Sequence, residues 1–335
     1  MRTQISAIGK IAAIERLLEG TGYTNSPVTH FNGGGEHLWS HKVMLEGVDF
    51  DLVYTPLKHL GYKAVLNVVG EVYAALYRPE ALSLRLGISS RFCFEDVEEL
   101  VAGAVAALKE HGIERFTLDL VPSLNGLCIS LACGGAQEKG FSGERTKYKN
   151  MDLICLSGRL GSAYMGMHVL QREKVSFTGN GRQPDLTRYS NVIASYLSPE
   201  VKPNTVSRFV DTGICPSGGF FVTQGLADAL LRLTRESGFG TKVYLDRIPF
   251  SDKALEVARE LDIDPATAAM NGGDDYQFIF TVPIEKSDVA RRDFQDYEII
   301  GHLARPEVGA VLVTPDGAKI PVRAQAFSRQ ESIEM

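Results

Sequence analysis

The 335-residue chain is 44% hydrophobic and 23% charged, with a formal net charge of −6. That is the make-up of a folded globular protein with room for two domains, and it excludes the basic footprint of a nucleic-acid binder. A phosphate ligand is not excluded, because such ligands are often held through metals and backbone amides rather than bulk positive potential.

No run approaches the ~20 apolar residues of a membrane span, and the start, MRTQISAIGK, lacks the apolar stretch of a secretion signal. The five cysteines (Cys93, Cys128, Cys133, Cys155, Cys215) form no CxxC pair, and most lie in apolar runs such as GLCISLACGG. They read as free thiols in a reducing compartment, so the expected location is the cytoplasm.

Along the chain, HFNGGGEHLW (His30–Trp39) reads either as a flexible loop or as a set of amides facing a phosphate; no helix follows to add a dipole. FEDVEELVAGAVAALKE (Phe94–Glu110) predicts an amphipathic helix. It has acids in its first turn, Val97, Leu100, Val101, Ala104 and Leu108 on one face, and His111-Gly112 as a stop. Strand-like RFTLDLV and GLCISLACGG follow, which predicts a helix layered on paired strands. Asp119 in the first of these either faces solvent by alternation or points into a site. Polar EKGFSGERTKYKN (Glu138–Asn150) is the expected linker, dividing the chain into domains 1–145 and 146–335.

In the second half, MDLICLSG predicts a strand, and RLGSAYMGMHVLQRE a loop and helix. Gly218-Gly219 reads as a turn before a helix and a weak candidate for an anion nest. One helix carries Leu226, Ala229, Leu230 and Leu233 and stops at Gly238, and another spans about Ser251–Leu261. YEIIGHLA and a terminal hairpin turning on Pro315-Asp316-Gly317 close the chain. The scattered histidines, His41, His59, His111, His168 and His302, show no metal-ligand spacing. MNGGDDYQFIF (Met270–Phe280) poses the sharpest local question. Asn-Gly-Gly makes a turn into a strand, and the paired aspartates either bond nearby amides or handle a ligand.

These pieces, in this order, resemble the thiamine-monophosphate kinases of the aminoimidazole ribonucleotide synthetase-like superfamily. The resemblance covers nearly the whole chain. EGVDFDLVYTPLKHLGYKAV, LSGRLGSAYMGMHVLQREKVSF and NGGDDYQFIFTV look like the family's EGVHFDL…GYKA, VSG-LG and GGEDYELLFT segments. The resemblance implies an α/β (α+β) fold of two domains, in which the N-terminal sheets of two subunits pair into a shared barrel across a homodimer. It also implies ATP, Mg²⁺ and transfer of the γ-phosphoryl group onto thiamine monophosphate. That reaction brings two polyanions together, so it needs metal ions held by carboxylates.

The acids are only partly kept. Where the family has GDDAAV, this chain reads GGGEH, leaving Glu36, and Lys42 stands where an aspartate precedes the EGVHF glutamate. NxSD becomes Val68-Val69-Gly70-Glu71, GGDTT becomes Thr117–Val121 with Asp119 surviving, and DISDGL becomes FVTQGL with Phe221 and Gln224 at the acidic positions. The metal candidates are therefore Asp119, Glu71 and Glu36. By the same resemblance Asp119, Arg145 and His111 are the nucleotide candidates, and Asp49, Asp274 and Phe327 the substrate candidates. The expectation is a kinase-like protein with a small phosphate ligand and weak or absent catalysis; the alternative is a non-catalytic paralogue that binds a small ligand or a partner.

Overall fold

The computed structural model describes residues 13, 16–22, 37–137, 146–180 and 184–324. Glu36, Arg145 and Phe327, with the glycines of the GGGEH loop, lie outside the described residues. The chain forms two compact units, Met1–Phe141 with Val201–Ser207, and Ser142–Glu200 with Arg208–Met335.

In the first unit, strand β1 (His37–Leu45), helix α1 (Leu57–Ala74), β2 (Tyr77–Ile88), helix α2 (Phe94–Glu110), β3 (Arg115–Pro122) and β4 (Cys128–Gln137) follow in order. The four strands make one sheet in the order β1-β4-β2-β3. Sequence alone suggested that β3 and β4 pair with each other. Instead β2 lies between them, parallel to β3 and antiparallel to β4. A helix-sized excursion separates β2 from β3, which suits a parallel crossover, and β4 then closes on the free edge of β2.

The register sorts side chains into two faces. Met44, Ile129, Leu86 and Leu120 form one row, and Lys42, Leu131, Leu84 and Leu118 the next. These rows face α1, since Asn67 Nδ2 lies 3.8 Å from Met44 Sδ and Ser40 Oγ donates to the Val68 carbonyl at 2.7 Å. On the opposite face the rows are Val43, Ser130, Arg85 and Asp119, then Leu45, Cys128, Gly87 and Val121. Helices α1 and α2 cross at two glycines: a Cβ on Gly61 would stand 1.9 Å from the Leu100 carbonyl oxygen, and one on Gly103 1.8 Å from that of Lys58.

The second unit contains β5 (Leu153–Ser157), α3 (Ser162–Asn180), α4 (Ser190–Leu197), β6 (Gly218–Val222), α6 (Leu226–Ser237), β7 (Gly240–Tyr244), α7 (Asp252–Leu261), α8 (Pro265–Asn271), β8 (Gln277–Val282), α9 (Ser287–Asp293), β9 (Tyr297–Ala304), β10 (Ala310–Val313) and β11 (Lys319–Pro321). Helix α5 (Thr205–Thr212) contributes residues to both units. The seven strands run in the order β11-β10-β7-β9-β5-β8-β6.

Leu226, Ala229, Leu230 and Leu233 of α6 are buried against Ile154, Val222, Ile279 and Ile300 of the sheet. Helix α6 stops at Gly238 in the left-handed conformation, and Ser251 caps α7 by accepting the Ala254 amide at 3.0 Å. Gly218-Gly219 differs from its expected turn: it is extended and pairs with β8. A Cβ on Gly218 would stand 1.8 Å from the Tyr148 hydroxyl oxygen, so glycine is there for packing, not for an anion. Among the described residues no helix is long and apolar enough to cross a membrane.

Candidate functional site

The candidates of the first unit fall on both faces of its sheet. Asp119 sits at the middle of β3 on the face turned away from α1. Arg85 is its register partner on β2, with Nε 3.7 Å from Asp119 Oδ2. Asp119 Oδ1 also accepts the Leu120 amide at 3.0 Å. Glu71, half-buried, belongs to α1 on the other side. The sheet therefore lies between the two surviving metal candidates. Among the described residues no group of three or more His, Cys, Asp or Glu could hold a metal ion.

Asp49 lies in the tight loop after β1. Its Oδ2 accepts the Leu45 amide at 2.7 Å, and Lys42 Nζ stands 3.8 Å from its Oδ1. Glu46, one turn earlier, forms an ion pair with Arg91 and accepts the Leu127 amide at 2.8 Å through Oε2. Gly126 has φ +86°, and a Cβ there would stand 2.5 Å from Glu46 Oε2, so only glycine lets the β3–β4 loop close on this carboxylate. Glu46, Gly47, Asp51, Arg91, Asn125 and Gly126 line an open depression of about 320 Å³. No sequence pattern singles out Arg91 and Asn125, because both come from loops distant in sequence with no motif around them.

His111 is not at a surface. It ends α2, is 5% exposed, and places Nδ1 3.1 Å from the Tyr73 hydroxyl. Burial pushes its pKa down to about 4, against the opposing pull of Glu110, so the ring is neutral at pH 7.

In the second unit, the 271–276 loop is held against the end of β6. Asp274 N donates to the Thr223 carbonyl at 2.8 Å and Tyr276 N to that of Val222 at 3.1 Å. Gly273, Asp274 and Tyr276 all have φ between +53° and +78°. Non-glycine residues there are strained, and such strain concentrates where a loop must present a side chain. Phe221 is 1% exposed and packs edge-on against Tyr276 at 5.5 Å, so this replacement of a family acid is a core residue. Gln224 is exposed.

Asp275 points inward. Its Oδ1 accepts the Gly161 amide at 2.9 Å, ahead of α3, and its Oδ2 is buried without a hydrogen-bond partner. Ser157 and Gln277 tie the same region together, since Ser157 Oγ lies 2.9 Å from Gln277 Oε1 and accepts the Phe278 amide at 2.8 Å.

No protein-family model matches the sequence. Among curated proteins, a candidate hydrogenase expression/formation protein of Methanocaldococcus jannaschii is 25% identical over 93% of this chain and 93% of its own. The thiamine-monophosphate kinase of Aquifex aeolicus is 25% identical over 94% of this chain and 98% of its own. Among solved structures, AaThiL complexed with AMPPCP and TMP superposes with a TM-score of 0.72 at 22% identity, covering 96% of both chains. The hydrogenase maturation protein HypE in complex with ATP gives 0.71 at 17%, covering 93% of this chain and 92% of that one. Alignment of whole chains and the ordered motifs make the chain similar in sequence to the thiamine-monophosphate kinases, and its α/β fold is the one seen in the solved structures of thiamine-monophosphate kinase and HypE.

Proposed function

We propose that this protein is a thiamine-monophosphate kinase-like binder of ATP and a small phosphate ligand, in which Mg²⁺-dependent phosphoryl transfer is weak or absent. The observation that carries this is the guanidinium of Arg85 beside Asp119, the metal candidate on β3, with Lys42 beside Asp49 and Arg91 beside Glu46 in the same unit. In-line transfer between polyanions requires divalent ions held on open carboxylates. A guanidinium beside Asp119 lowers the charge that Mg²⁺ would meet and competes for the same oxygens, and an ammonium brings one charge without octahedral coordination. The described residues therefore do not fit a Mg²⁺ site.

Ligand binding is supported by the kept motifs. Asp274 stands on a strained loop tied to the end of β6 and is the carboxylate proposed to meet a cationic ring such as an aminopyrimidine, while Asp49, on a tight turn, already faces the Lys42 ammonium. The N-terminal domain is the proposed nucleotide and dimerisation domain. Trp39, Val43, Leu45 and Val121, each at least 40% exposed, share the sheet face turned from α1, which suits pairing with a second copy. A purely non-catalytic role, binding a small ligand or a partner, is the second reading, favoured by Phe221, a buried core residue at a position where the resemblance expects an acid. ADP formation on addition of thiamine monophosphate separates the two: slow Mg²⁺-dependent turnover that disappears in Asp119→Asn contradicts the non-catalytic role, and fast, sustained turnover contradicts both readings.

A further inference from the structure

We propose that Asp275 is a proton-linked latch: its buried carboxyl, pinned to the start of α3, positions Asp274 on the ligand loop, and ionisation of that carboxyl loosens the loop. The geometry singles it out. Asp275 is 7% exposed, and Gly161 N reaches its Oδ1 at 2.9 Å. Its Oδ2 has no hydrogen-bond partner. No basic side chain among the described residues pairs with it. The charge that acts on it is that of Asp274, of the same sign and next in sequence, while the chain entering α3 offers the amides of Gly161 and Ala163. The titratable side chains in the first two turns of α3, Tyr164 and His168, pack on each other at 4.3 Å, and His168 is held neutral by burial.

A buried carboxylate with one oxygen unpartnered and a like charge beside it is costly, whereas the neutral acid is not. Burial, reinforced by Asp274 and opposed by the two amides, pushes the pKa of Asp275 up to about 8. The residues on either side, Asp274 and Tyr276, are the two strained ones. Their left-handed conformations persist only while something over-determines them, and the Gly161 contact is the tie from this loop to α3. Charging Asp275 draws it toward water and releases that tie. The ligand part of the inference rests on the pocket proposed above; the titration does not.

The test uses the full chain. Infrared spectra at pH 7 are expected to show a protonated-carboxyl C=O band that is missing in Asp275→Asn and fades in the wild type near pH 8. In Asp274→Asn, which removes the like charge, the band is expected to fade at lower pH. Affinity for thiamine monophosphate is expected to fall about tenfold between pH 7 and 9 in the wild type, as the neutral fraction falls, and to stay level in Asp275→Asn. Absence of the band at pH 7, or equal pH profiles of affinity in wild type and Asp275→Asn, overturns the latch. Failure of thiamine monophosphate to bind at any pH refutes the ligand pocket alone, and the band still decides the latch. Should Asp275→Asn not fold, comparison of wild type with Asp274→Asn decides the same point: an unshifted band between them overturns the latch.

Discussion

Glu46→Ala is expected to be among the more damaging single changes in the first unit, and Arg91→Ala among the milder ones. The two residues share an ion pair, but their positions differ. The Glu46 side chain is 17% exposed and that of Arg91 53%. Losing Arg91 removes a largely solvated pair, typically about 0.2–1 kcal/mol. Losing Glu46 also removes a charge-assisted hydrogen bond to the Leu127 amide, and Leu127 is 3% exposed. A buried amide left without an acceptor costs about 1–3 kcal/mol, so Glu46→Ala should cost about 2–3 kcal/mol in all. For a unit of this size that lowers the melting temperature by roughly 4–12 °C, against about 4 °C or less for Arg91→Ala. Thermal unfolding followed by circular dichroism measures both, and faster hydrogen exchange at the Leu127 amide should accompany Glu46→Ala alone. Equal losses in the two variants would refute the assignment of Glu46 as the clasp of the β3–β4 loop.

Gly103→Ala should destabilise the protein although alanine favours helix, because its Cβ would stand 1.8 Å from a backbone oxygen of α1; overpacking of about 1–3 kcal/mol exceeds the roughly 1 kcal/mol gained in propensity, as chemical denaturation will read. His111 has a pKa depressed in the fold, so its contribution is complete above about pH 6.5 and is lost as pH falls toward 4; His111→Gln should flatten that acid limb by up to about 3 kcal/mol in melts between pH 7 and 4. Val43→Asp, on the exposed sheet face, should leave circular dichroism unchanged and shift sedimentation from dimer to monomer. An unaltered sedimentation coefficient would remove that face as the subunit contact.

What was legible in the sequence was what is local. Helix α2 was readable from its acidic first turn and its Val97, Leu100, Val101, Ala104 and Leu108 stripe, all of which are buried. Helices α6 and α7 were readable from Gly238 and Ser251, whose cap geometry needs only neighbours in sequence. Strand order was not, because β3 and β4 carry the same apolar alternation whether they pair with each other or enclose β2. The Gly218-Gly219 pair misled, since its cause is the Tyr148 side chain, distant in sequence.

For the site, motifs located Asp49, Asp119 and Asp274, but not what holds them. Arg85 and Arg91 have no motif, and their meaning appears only once strand register and loop closure bring them to a carboxylate. The inward turn of Asp275 was equally illegible, because GGDDY reads the same whichever aspartate is buried.

The most direct measurement is calorimetric titration of ATP into the full chain with Mg²⁺ and with a chelator, followed by assay of ADP formation on adding thiamine monophosphate. Binding that does not tighten with Mg²⁺, with little or no ADP formed, is the predicted result, since Arg85 stands 3.7 Å from the Asp119 carboxylate and Lys42 3.8 Å from that of Asp49. Binding that strengthens tenfold or more with Mg²⁺, together with sustained turnover, would contradict it.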